Sequence, residues 1–311
     1  MLEAPVRPVA QLLPIGEEGS EPHGAGVNPF RLPVLLFILA CLTTCMLHGW
    51  IYSLSLMSIL LAHELGHYLQ TLRYGVPASP PMFIPVPFGF GTMGAVIVQR
   101  GNTPNRRALF DIGVSGPLAG LALAIPLLIW SISYGKIVAV PPDAILYGDP
   151  LLVKFLIWWF HGPQPVGHEM TFDGNGVLYA SWVGLLITAI NLMPFGQLDG
   201  GHVLYCLIGR AQHRVAETLF RLILVTLFFY GLFVSWMPVI SWMLMLMLIA
   251  RMGLWHPPTI DDSIQLDLKR KLIGWLTMAL LVLLFVPVPI RFVEGSPAPP
   301  HGAGAAQQAP L

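Results

Sequence analysis

Charge is scarce in this chain. Of its 311 residues only 16 are Lys or Arg and 16 are Asp or Glu, and the two signs cancel. Soluble domains carry about a quarter of their residues charged, so a chain 10% charged and 55% hydrophobic is not an ordinary globular enzyme. It reads as an integral membrane protein. No basic stripe gathers the few cations, which argues against a nucleic-acid partner. Cysteine is sparse too: Cys41, Cys45 and Cys206 are too few for a disulfide framework or a thiolate metal cluster. Cys41 and Cys45, four apart, read as small apolar helix residues. Residues 1–27, rich in Pro, Gly and Glu, lack the apolar core of a secretory signal. They and the Pro/Ala/Gly/Gln-rich residues 293–311 are expected to be disordered tails, leaving one membrane-embedded domain over 28–292.

What the chain has instead is long hydrophobic runs. Seven apolar segments appear, at 29–47, 51–72, about 107–134, 177–193, 215–233, 239–252 and 272–288. The expected fold is an all-α polytopic membrane protein with about seven transmembrane helices. With the N-terminus cytoplasmic, every Lys and Arg among the 16 except Lys136, Lys154 and Arg291 falls on the inner side. The positive-inside rule then places the N-terminus in and the C-terminus out. Between the second and third segments, residues 82–98 hold two prolines and three glycines, yet are too apolar for a surface loop. They predict a re-entrant, β-hairpin-like loop, tolerated in a membrane only where protein covers its backbone or it lines a cavity. Residues 149–161, with Trp158 and Trp159, predict an outer interfacial helix.

The second apolar run contains His63-Glu64-Leu65-Gly66-His67. Polar groups at such depth cost about 3 kcal/mol or more when charged and commonly face a cavity where they do chemistry. His63 lies twelve residues after Ile51, about 18 Å along a helix. HExxH on a helix is a zinc-metalloprotease pattern, since residues i and i+4 present two imidazoles to one ion. Glu64 is then the general base, taking a proton from the attacking water and returning one to the leaving amine. A catalytic zinc needs a third protein ligand and one open position. Asp199, in Asn191-Leu-Met-Pro194-Phe-Gly-Gln-Leu-Asp199-Gly-Gly-His202, is the only acidic residue between Asp173 and Glu217. Pro194 and the glycines at 196, 200 and 201 are expected to break the fourth helix and turn that carboxylate inward. His202 is the rival ligand, or a partner lying behind the ligands. His23, His48, His161, His168, His213, His256 and His301 lie in loops or tails and are set aside.

HELGH on an early helix with Asn-x-x-Pro-x-x-x-Leu-Asp-Gly on a later one resembles the site-2 protease family of intramembrane zinc metalloproteases. Phe110–Gly120, Phe83–Pro87 and His256-Pro257-Pro258 look like its bacterial members related to the EGY-type proteases. The similarity runs over about residues 30 to 290. It implies one zinc per chain on His63, His67 and Asp199, with Glu64 catalytic and Asn191 assisting substrate or transition-state binding. It further implies a multi-pass protein of the bacterial cytoplasmic membrane whose substrate is a membrane protein with a transmembrane helix. Two features depart from many relatives. Residues 135–176 are too short to hold an inserted PDZ domain, and no regulatory nucleotide-binding module is expected. Without a leader rich in Ser and Arg, a plastid address is not expected.

Two other readings stay open on the sequence. One is a secondary transporter using Glu64 and Asp199 as ion or proton sites, although no repeated half with matching broken helices is present. The other is a silent membrane scaffold that keeps the zinc site for stability. Ser115, Gly116 and Gly120 predict a small-residue face on the third helix, packed against the helix that carries HELGH.

Overall fold

A single glycine turns the chain between its first two helices. In the computed structural model, which describes residues 30–99, 102–141, 144–234 and 236–292, Gly49 at φ 86° separates α1 (Arg31–His48) from α2 (Trp50–Tyr74). The tails expected at 1–27 and 293–311 lie outside the described residues. Gly75, in the left-handed conformation that glycine adopts without steric cost, ends α2 with its N–H on Leu72. The hairpin β1 (Met82–Pro85) and β2 (Thr92–Val96) follows. Then comes α3 (Arg106–Ser133), whose first free N–H groups are met by the Asn105 side chain.

Three short strands and a helix come next: β3 (Ile137–Ala139), β4 (Ile145–Tyr147), α4 (Leu151–His161) and β5 (His168–Met170). The remaining helices are α5 (Gly176–Asn191), α6 (Asp199–Ile208), α7 (Ala211–Phe233), α8 (Trp236–Met252) and α9 (Leu268–Leu284), before β6 (Ile290–Phe292). β3 pairs with β5 and β4 with β6, both antiparallel.

Each of the seven predicted apolar segments is helical, and α4 stands where the interfacial helix is expected. The bounds differ most at α9, expected at 272–288. It begins earlier because Asp267 caps the Arg270 N–H, and it ends earlier because Phe285 is extended ahead of Pro287. α6 is a helix the sequence reading does not expect. Among the described residues α1, α3 and α7 are long and apolar enough to cross a membrane, while α4, α5 and residues 242–252 of α8 are apolar but shorter. α2 has the length, but its serines, histidines and Glu64 dilute its hydropathy.

The core lies between α2, α3 and α5. Ile59, Leu121, Leu128, Leu185 and Leu192 form one part of it, and Tyr52, Leu56, Trp182 and Val183 another. Buried Trp182 donates its indole N–H to the Gly148 carbonyl. α1, α7, α8 and α9 turn Leu35, Leu222, Phe229, Leu244 and Leu276 outward. Such an inside-out surface suits hydrocarbon rather than water.

The hairpin runs along the whole of α1. At its base, Pro77–Met82 and Val98 share a cavity with Leu32, Pro33 and the end of α2. At its tip, His48 Nε2 donates to the Gly89 carbonyl (2.7 Å) and Tyr52 to that of Phe90 (2.9 Å). Between them Phe83 is buried and meets the Phe37 ring edge-on at 5.0 Å. The hairpin expected between the second and third apolar segments is therefore present and held against α1 and α2. Gly91 lies so close to α1 that a Cβ would sit 2.7 Å from Thr44 Cα, and its φ is 83°. Gly91→Ala should therefore destabilise the hairpin by about 1–3 kcal/mol. A lowered apparent Tm in detergent and faster proteolysis between Pro85 and Thr92 would show it.

Candidate metal centre

His63 and His67 stand one turn apart near the middle of α2, with their Nε2 atoms 3.1 Å from each other. Asp199 opens α6 and brings Oδ2 to 3.2 Å from His63 Nε2 and Oδ1 to 3.3 Å from His67 Nε2. One ligand atom from each residue lies within 4.8 Å of the others, the only such His/Cys/Asp/Glu group found among the described residues. The local path explains Asp199's position. α5 stops at Asn191, the chain turns through Pro194 and Gly196 (φ 47°), and α6 starts flush against that turn. A Cβ on Gly200 would fall 1.8 Å from the Leu192 carbonyl oxygen, and one on Gly201 2.3 Å from that of Gly196. The break falls at residues 192–198, so of the residues expected to interrupt the fourth helix only Pro194 and Gly196 lie in it; Gly200 and Gly201 stand in the first turn of α6 and let that helix pack onto the break.

The donor set fits a zinc ion. His67 Nδ1 lies 2.7 Å from the Ile112 carbonyl oxygen and must donate its proton there. With that ring neutral, its Nε2 is a lone pair aimed at His63 Nε2 and a carboxylate. Such donors turned on one another in a buried place repel unless a metal ion or a shared proton sits among them. Two imidazoles and one carboxylate are a donor set of the kind that holds zinc, and a contact such as that with Ile112 is the usual outer support for a ligating histidine. Glu64 is buried beside His63, within electrostatic reach of all three ligands. Asn191 Nδ2 comes to 3.4 Å from His63 Nε2, so that amide borders the same centre.

His202 is not among the converging ligand atoms. Its Nδ1 is 2.6 Å from Nε2 of His256, a residue that the sequence reading set aside. His256 is buried, and burial holds its imidazole down, at about 4, so it is neutral at pH 7. His48 is another correction to that set, because it fastens the hairpin tip. Gln212, fully buried and bonded to the backbone near both groups, was missed altogether. A polar residue near the start of an amphipathic helix carries no sequence signal of such a role.

The small-residue face of α3 packs where it was predicted. A Cβ on Gly116 would stand 2.0 Å from His67 Nε2, one on Gly120 3.2 Å from His63 Cβ, and one on Gly66 of α2 2.6 Å from the Ser115 carbonyl oxygen. The rings occupy the space that larger side chains would fill. Gly116→Ala should therefore push His67 off its position and weaken zinc binding at least tenfold. Gly120→Ala, which meets only a tight contact, should do less. Competition with a chromogenic chelator measures both.

Residues 51–234 match the model of peptidase family M50. The chain is 29% identical over 275 residues to a probable zinc metalloprotease EGY1, chloroplastic, of Oryza sativa subsp. japonica, covering 86% of this chain and 44% of that protein. It is 29% identical over 242 residues to the Arabidopsis thaliana protein of the same name, covering 75% and 42%. With a probable zinc metalloprotease EGY2, chloroplastic, of Arabidopsis thaliana it shares 27% over 238 residues, covering 75% and 41%. The chain thus spans less than half the length of these curated relatives. Its HExxH helix, its Asp199 turn and the α3 face between them all fall inside the matched region. The chain belongs to peptidase family M50, the site-2 protease family of zinc metalloproteases.

Proposed function

We propose that this chain is a zinc-dependent intramembrane endopeptidase that cleaves transmembrane segments of other membrane proteins. The observation that carries the reading is the convergence of His63, His67 and Asp199 midway along a buried helix, with Glu64 beside them. His63, His67 and Asp199 would hold the zinc ion, which would supply Lewis-acid polarisation of the scissile carbonyl and a water of lowered pKa. The chain's own residues do the rest. Glu64 removes a proton from the attacking water and passes it to the leaving amide nitrogen. The Asn191 side-chain N–H donates to the oxyanion developing on the scissile carbonyl. His67 is kept in one tautomer by Ile112, and the α3 face keeps bulk solvent from the ring side of the centre.

A substrate helix hides its carbonyls in its own hydrogen bonds, and opening them in hydrocarbon costs several kcal/mol per group. Segments with helix-weakening residues are therefore preferred. The two-stranded hairpin supports a receiving role, since β2 can offer an edge to an unwound segment as an added strand. The membrane frame of this reading has about seven crossings, the N-terminus cytoplasmic and the C-terminus outside. The distribution of Lys and Arg supports it, and the bacterial cytoplasmic membrane is its proposed location.

Zinc content of the detergent-purified protein tests the centre. We expect one zinc per chain in the wild type and little in Asp199→Ala. Glu64→Gln should keep the zinc and lose about 10²–10⁴-fold in cleavage of a reporter transmembrane substrate. A chelator should stop the wild type and added zinc should restore it. A well-folded wild type without zinc would defeat the reading. Proline at Ala95 or at Val96 should abolish cleavage with zinc still bound, and unchanged turnover would remove the hairpin from the mechanism.

A further inference from the structure

Behind Asp199 lies a polar cluster that the reaction does not use. Residues 253–262, which follow α8, cross over the turn before α6. Gly196 donates its N–H to the Leu254 carbonyl (3.0 Å), and the backbones are so close that a Cβ on Gly196 would be 2.1 Å from the Gly253 oxygen. Gln212 of α7, fully buried, completes the joint. Its Nε2 donates to the carbonyls of Pro194 (3.1 Å) and Leu254 (3.2 Å), and its Oε1 accepts the His256 N–H (3.3 Å). One amide thus ties the Asp199 turn to the crossing segment and orients the backbone of His256.

The imidazoles add a directed chain. His256 Nδ1 is 2.5 Å from the Pro257 carbonyl oxygen and donates to it, so its Nε2 accepts from Nδ1–H of His202 at 2.6 Å. His202 sits three residues after Asp199, within the first turns of α6. The far end of the segment is held as well. Asp262 accepts from Tyr205 of α6 (2.5 Å) and from Thr259 (2.7 Å), and Ile260 and Asp261 donate to the Thr103 and Pro104 carbonyls just before α3.

These contacts matter because α6 cannot set its own position. It has ten residues and no side-chain cap at Leu198, and a helix that short is marginal alone in water. A metal centre needs its ligands within about half an ångström of their places. We propose that Gln212 and His256 are positioning residues for the metal centre, fastening the Pro194–Leu198 turn and α6 so that the Asp199 carboxylate meets His63 and His67. The proposal rests on the metalloprotease reading above. Neither residue touches substrate; both act through Asp199.

The test measures zinc affinity by chelator competition and the visible spectrum of the cobalt-substituted protein. Alongside them the apparent Tm of the metal-free protein is recorded. Gln212→Ala and His256→Ala should each weaken zinc about 10–100-fold, as loss of outer support does at other metal sites. Both should also shift the cobalt bands, which report only on folded, loaded molecules. His256→Gln keeps an acceptor for His202 and should recover most of the affinity. Wild-type affinity and spectrum in both alanine variants would overturn the proposal while leaving the metal reading intact. A wild type that binds neither metal would bring down the metal reading, and this one with it. If Gln212→Ala fails to fold, the contrast between His256→Ala and His256→Gln decides: equal affinities there refute a positioning role.

Discussion

Two imidazole lone pairs and a carboxylate face one another across little more than 3 Å in the middle of an apolar helix bundle. That arrangement needs a metal ion or shared protons among its donors, and without close packing it would be flooded or would open. Most of what surrounds it answers one of these two needs. The glycine face of α3 brings a second helix within contact of both histidine rings. The Ile112 carbonyl accepts the His67 Nδ1–H and so turns the other ring nitrogen toward His63 and Asp199. α5 ends and α6 begins at the depth where Asp199 is required.

The hairpin is fastened to the same helices: β1 packs against α1 through Phe83 and Phe37, and the tip is tied to the α1–α2 corner. That anchoring leaves a short, two-stranded sheet beside the catalytic helices, whose edge is the only extended structure between α2 and α3 among the described residues.

Rigidity is unevenly supplied. His63 and His67 share one long helix, so their spacing follows from helical geometry. Asp199 comes from a separate, short helix after a turn, and its place depends on contacts with α7 and residues 253–262. A centre in which two members are set locally and the third by distant segments concentrates its sensitivity at the third.

HELGH inside an apolar run, the lone acid at Asp199 and the small residues at 115, 116 and 120 were all legible in the sequence, because helical periodicity and membrane cost act locally. So were the helices other than α6, to within a few residues, and the hairpin, since two prolines and three glycines exclude a helix. Where those pieces meet was not legible. No local rule tells that Gly200 and Gly201 belong to the first turn of a new helix rather than to the break before it, that His256 is buried against His202, or that Gln212 bridges two backbones. The sequence by itself determined which groups could bind a metal and which segments seek lipid. The tertiary structure decided that they converge, because only packing brings α2, the Asp199 turn and the segment after α8 within hydrogen-bonding distance.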